Sequence, residues 1–120
     1  MIKTEAMLEN VALVDRHLAA AAASDVDAMI ADYAEDVILY TPRGPIKGRS
    51  ALRTYFDIFF AENQIDGTRN GNRTLLRRDV DNDVVYVVWG ADGAAPVATD
   101  TFLIRHGKIR IQASTSHMTG

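Results

Sequence analysis

From Val84 to Met118 the chain runs VVYVVWGADGAAPVATDTFLIRHGKIRIQASTSHM, and this stretch decides the fold. It divides into three β-prone runs, Val84 to Ala91, Pro96 to Arg105 and Lys108 to Met118, rich in β-branched and aromatic residues. Asp92-Gly93 and His106-Gly107 punctuate them as turn signals. An earlier run, Arg73 to Asp79, joins the first through Asp81-Asn82-Asp83. Strands connected so tightly must be antiparallel, so the four form a meander. Upstream lies a polar, Gly-containing stretch, Asn63 to Asn72, which reads as a loop or lid.

The first half has the other period. Apolar residues recur at Leu8, Val11, Ala12, Leu18, Ala19 and Ala22, which predicts a helix over Glu5 to Ala23. Asp25 reads as the N-cap of a second helix, Val26 to about Tyr33. Val37 to Thr41 is a short strand stopped by Pro42-Arg43-Gly44-Pro45, with Ile46 and Lys47 as a brief return. Ser50 is the expected cap of a third helix, Ala51 to Glu62, whose buried face carries Leu52, Tyr55, Phe56, Phe59 and Phe60. Helices followed by a meander predict an α+β fold, three helices packed on one face of a curved antiparallel sheet, in a single domain over residues 1–120.

Composition narrows the function. At 120 residues with 48% hydrophobic content, the chain can bury on the order of two-thirds of its unfolded surface. It has no cysteine, so disulfides, thiolate nucleophiles and thiolate zinc sites are excluded. Its three histidines are too far apart for a metal-binding pair, and no metal site is expected. A net charge of −3 argues against nucleic acid or an anionic membrane as the main partner. No apolar run is long enough to span a bilayer and no leader-like segment is visible, so a cytoplasmic protein is expected.

One segment points beyond the fold. Val84 to Trp89 is apolar on both faces of its strand, whereas helices cover only one. A second copy of the chain is expected on the other, giving a homodimer through the sheet.

Walker, dinucleotide-binding, nucleophile-elbow and zinc-protease motifs are all missing, so cofactor-free chemistry is expected. Polar groups on apolar faces then carry the search. Asp100 alternates onto a face with Ala98, Phe102 and Ile104. If that face is inward, its carboxyl is desolvated and suited to proton transfer; if outward, it pairs with an arginine. His17 lies on the flank of the first helix with Leu13, Val14 and Ala21, an acid, base or donor near neutral pH or an ordinary core histidine. Asp15 is expected at the boundary, paired with a basic group. The facing of His117 depends on the last hairpin. A two-residue turn sets Asp100 opposite Ala113 and brings Thr115 and His117 to its face; one extra residue sets it opposite Gln112 and brings Ser114 and Ser116 instead. Tyr33, Tyr55 and Trp89 each carry a polar handle able to orient a ligand.

Asp25-Val26-Asp27-Ala28-Met29, then Tyr33-Ala34-Glu35-Asp36-Val37 with Pro42, resembles the opening of the NTF2-like superfamily. Gly48-Arg49-Ser50-Ala51-Leu52 with Tyr55-Phe56 is similar to its third-helix signature, and Asp100-Thr101-Phe102 with Ile104 and His106-Gly107-Lys108-Ile109 to its final hairpin. The resemblance implies a cystatin-like cone of bent sheet and helices around an apolar pocket, commonly in a homodimer. Within the ketosteroid isomerase-like branch it sets Asp100 where a carboxylic acid serves the oxyanion hole, and Tyr33 and Phe56 at or beside the pocket. Two positions depart from that branch: Thr41 stands where its general-base aspartate would be, and His17 where its oxyanion tyrosine would be. Steroid isomerisation by that mechanism is not expected.

A SnoaL-like protein binding a small, largely apolar molecule is the reading that results. Asp100 would be its acid or base and His17 the partner across the pocket. Thr41, Tyr33, Tyr55, Phe56, Trp89, Phe102, Gln112 and His117 would be its ligand contacts. The competing expectations are a non-catalytic carrier or dimerisation module, and a sheet that binds another protein.

Overall fold

The computed structural model describes residues 4–63, 73–91 and 96–116. Helix α1 (Glu5–Ala22) starts where Thr4 accepts the Met7 N–H at 3.1 Å, and α2 (Val26–Ala31) where Asp25 accepts that of Ala28. Strands β1 (Tyr33–Thr41) and β2 (Gly44–Lys47) form a hairpin, and α3 (Arg49–Asn63) crosses to the meander. The meander comprises β3 (Arg73–Asp81), β4 (Val84–Ala91), β5 (Pro96–Arg105) and β6 (Lys108–Ser116).

The six strands lie in the order β2-β1-β6-β5-β4-β3. Every neighbouring pair is antiparallel except β1 and β6. That parallel pair arises because the chain leaves the sheet through α3 and returns along the meander until its last strand meets its first. The result is an α+β architecture of three helices and a curved, predominantly antiparallel sheet, as the periodicity predicted.

The core fills the concave side. Val37 and Leu39 of β1, Val85 and Val87 of β4, Phe102 and Ile104 of β5 and Ile109 of β6 meet Val11 and Val14 of α1 and Leu52 and Phe56 of α3. Each such side chain contributes about 1.5–3 kcal/mol on burial.

Five local expectations need correction. The buried face of α1 is Met7, Val11, Leu13, Val14 and His17, whereas Leu8, Ala12, Ala19 and Ala22 are exposed. An alanine-rich helix is apolar in several directions, and the sheet selects the direction with the larger side chains. Tyr33 opens β1 rather than closing α2, because the Asp32 carbonyl accepts the Ile109 N–H at 2.8 Å and draws the chain into the sheet. Helix α3 begins at Arg49, one residue before the expected cap Ser50. Gly48 precedes it with φ +87°, a left-handed conformation that favours glycine. Asn63 belongs to α3 and β3 runs on to Asp81, while the rest of the expected loop lies outside the described residues.

The last hairpin combines the two expected registers. His106 and Gly107 both have positive φ and make a two-residue turn, with Ile104 opposite Ile109. A register shift follows between Leu103 and Ile104, so Asp100 stands opposite Ser114 rather than Ala113 or Gln112. Gln112 and Ser114 thereby share the inner face with Asp100. His117 and Met118 lie outside the described residues.

Candidate functional site

The space between α1, α3 and the sheet is not filled. A cavity of about 290 Å³ remains, close to the lower end of the range of small-molecule sites. Tyr55, Phe56, Phe59 and Phe60 of α3 form its aromatic wall, an i, i+4 pattern that turns one helix face inward. Leu18, Ala21 and Ala22 of α1 extend the apolar lining. Opposite, Trp89, Asp100, Phe102, Gln112 and Ser114 come from the strand positions that alternate inward, and His17 borders the same space.

Asp100 faces this cavity in polar rather than apolar company, which corrects the expectation of a carboxyl walled in by hydrocarbon. It is partly buried, and three neutral donors hold it. Trp89 Nε1–H donates to Oδ2 at 3.0 Å, Gln112 Nε2–H to Oδ1 at 3.2 Å, and the Ser114 hydroxyl also to Oδ1. A carboxylate offers about four lone-pair sites, so one remains for a ligand. No arginine pairs with Asp100 among the described residues.

At the edge of the cavity sits a second polar group. His17 is 1% exposed, its Nδ1 3.2 Å from Asp32 Oδ2 and its Nε2 3.1 Å from the Tyr33 hydroxyl. The ring also packs edge-on against Tyr33 and Phe102, with centroids 4.9 and 5.9 Å away. Tyr33 donates to Gln112 Oε1 at 2.5 Å, which closes a chain Asp32–His17–Tyr33–Gln112–Asp100. Burial drives the Tyr33 hydroxyl well above its usual range, and the charges of Asp100 and Asp32 add to this, so it keeps its proton. For Asp32, burial acts to raise the carboxyl, but hydrogen bonds from His17 and Arg16 outweigh it and hold the group below its ordinary value. Burial also raises Tyr55, opposed by the Arg43 charge and reinforced by that of Asp100.

The expected residues therefore fall into distinct places. Asp100, His17, Thr41, Tyr55, Phe56, Trp89, Phe102 and Gln112 all border the cavity. Tyr33 does not: it is fully buried behind the wall, joining His17 to Gln112. Both ring nitrogens of His17 are engaged, by Asp32 and by the Tyr33 hydroxyl, so neither is left over for direct contact with a ligand. Thr41 Oγ1 is committed to the β1–β2 turn, donating to the Gly44 carbonyl and accepting from Arg43 N. Asp15 pairs with Arg78 at the surface, as a boundary residue should.

Asp32 is the residue that sequence reasoning missed. An acid beside an aromatic at the end of a short helix was its one signal, and the expected extension of α2 through Tyr33 concealed it. Among the described residues no cluster of His, Asp and Glu is placed to hold a metal, and no helix is long and apolar enough to cross a membrane.

A sequence profile of the SnoaL-like domain matches residues 14–112, most of the chain and every member of the run from Asp32 to Asp100. No curated protein matches the sequence significantly. Among solved structures, an NTF2-like protein of unknown function from Burkholderia xenovorans superposes with TM-score 0.75 at 16% identity, covering 98% of this chain and 89% of that one. A SnoaL-like protein of unknown function from Burkholderia thailandensis gives 0.74 at 13%, covering 98% of each. A proposed polyketide cyclase from Sinorhizobium meliloti gives 0.68 at 19%, covering 86% of this chain and 93% of that one. At such identities the likeness establishes the fold alone.

Proposed function

The chain belongs to the SnoaL-like domain family, and from that premise we propose that it is a cofactor-free acid–base enzyme acting on a compact, largely apolar carbonyl or epoxide compound. Isomerisation, cyclisation, dehydration and hydrolysis all fall within this chemistry. The observation that carries the reading is Asp100. It is a carboxylate on the wall of a mainly apolar cavity, held by three neutral donors with a lone-pair site to spare. Neutral donors fix its position without neutralising its charge, which suits a base that must meet a substrate in one geometry. The aromatic wall from α3 would hold the apolar body of the substrate, leaving its polar function toward Asp100 and Gln112.

Trp89 supplies the assay. It is the only tryptophan, and its indole N–H is bonded to Asp100 at the cavity wall, so its emission reports occupancy. Compact carbonyl and epoxide compounds are screened by Trp89 fluorescence and thermal shift, and binders are tested for turnover. Asp100→Asn keeps the shape and most hydrogen bonds, and is expected to lower turnover by about 10²–10⁴-fold. A rate within twofold of the parent would remove Asp100 as the reacting group. Binding without turnover of any compound by the parent would leave a carrier.

A further inference from the structure

The hydrogen-bond chain fixes how protons are held at its two ends. Tyr33 spends its one hydrogen on Gln112 Oε1, and Gln112 Nε2–H donates to Asp100. Tyr33 can then only accept from His17, so His17 Nε2 carries a hydrogen. His17 Nδ1 faces Asp32, whose carboxylate also takes a hydrogen bond from Arg16 at 2.8 Å and has none to give. Nδ1 must carry a hydrogen too, and His17 in this arrangement is the imidazolium.

The same heavy-atom positions accept one other complete pattern. With the Gln112 amide turned over, a protonated Asp100 donates to Gln112 Oε1 and Gln112 Nε2–H to the Tyr33 oxygen. Tyr33 donates to His17 Nε2, and neutral His17 donates from Nδ1 to Asp32. Every group is again satisfied and the net charge is unchanged; one proton sits on Asp100 instead of His17. A neutral His17 with an ionised Asp100 fits neither pattern. It sets either the Nδ1 lone pair against Asp32 or the Gln112 carbonyl against Asp100, two acceptors in contact away from water.

We propose that His17 and Asp100 form one coupled acid–base unit that shares a single proton, with Tyr33, Gln112 and Asp32 as the positioning residues that enforce the sharing. Asp100 is thereby a base while His17 is charged and an acid once His17 is neutral. An amide does not conduct protons, so the two ends exchange them with substrate or water, and the chain transmits only the bias. The inference rests on the reading of Asp100 as the acid–base group and adds to it the partner that sets its protonation. The groups facing Asp100 are Trp89, Gln112 and Ser114, and its charge is felt at the Tyr33 and Tyr55 hydroxyls. Those facing His17 are Asp32 with its Arg16, Tyr33 and the Phe102 ring.

The test is a double-mutant cycle on the titration of His17, followed by imidazole ¹⁵N NMR from pH 5 to 9. Asp100→Asn removes the charge at the far end, and His17 should then lose its proton about one pH unit lower. Gln112→Met cuts the chain without touching the partners of His17 or the charge of Asp100. In that background Asp100→Asn should move the midpoint by less than about a third as much. Tyr33→Phe breaks the chain at a second point and should give the same result, which preserves the test if Gln112→Met fails to fold. An equal shift in cut and uncut chains, or none in either, overturns the coupling. Turnover is read separately: loss of activity in Asp100→Asn with no coupling leaves the proposed function standing, and coupling with unchanged activity removes the function but not the coupling.

Discussion

Asp32→Asn tests the buried end of the network. In the folded protein Asp32 is 5% exposed and accepts from two donors of very different worth. Arg16 is 65% exposed on its side chain, so water replaces most of that interaction and its share is at most about 1 kcal/mol. His17 is 1% exposed and nothing replaces its partner, so that bond is worth about 1.5–3 kcal/mol. The expected loss is about 3 kcal/mol at pH 7, or roughly 10 °C in Tm for a domain of this length. Because the folded carboxyl is held below its unfolded value, the unfolded chain takes up the proton first on acidification. The parent's advantage over Asp32→Asn is therefore complete above an unfolded pKa of about 3.9 and is lost as pH falls through the lower folded value. Thermal and urea melts of both proteins between pH 2 and 8 read the difference directly. Replacing both partners, in His17→Leu/Asp32→Leu, should cost less than the two single changes together, since no charge is then left buried without a counterpart. A Tm loss under about 2 °C for Asp32→Asn, or a gap that widens toward acid pH, would refute the reasoning.

Two further outcomes follow from the cavity and the sheet. Ala98→Leu adds bulk at a buried position on the cavity wall, and should abolish ligand-induced changes in Trp89 emission while changing stability by no more than about 1–3 kcal/mol; undiminished binding would place the ligand elsewhere. On the outer face Val84 and Tyr86 are both 37% exposed, and Val84 shares a row across the strands with Leu103 and Ile111, the apolar surface on which a homodimer is expected. Light scattering should find a dimer that Tyr86→Glu converts to monomer, and a monomeric parent at micromolar concentration would remove the expectation.

Sequence pattern carried far into the secondary structure and less far into the site. The bounds of β4 and β5 follow from β-prone runs closed by turn signals, and the aromatic face of α3 from i, i+4 spacing, because each is a local property of the backbone. Asp25 as a cap is legible for the same reason. The face of α1 was not, since alanine does not distinguish one side of a helix from another. Asp100 and His17 stood out as polar residues among apolar ones, yet the groups between them did not. Tyr33 and Gln112 are 79 residues apart in the chain and within 2.5 Å in space.

Composition and periodicity alone settle that this chain builds helices against a meander and that it has no thiol chemistry; that Asp100 faces inward is decided by the fold. The tertiary structure alone decides that β6 pairs with β1, that a shift beside Ile104 turns Gln112 and Ser114 toward Asp100, and that Asp32 reaches His17. The division has a physical cause. Local propensity acts over a few residues and leaves its period in the sequence, whereas a hydrogen-bond network joins whatever side chains the sheet register and helix packing bring within about 3 Å.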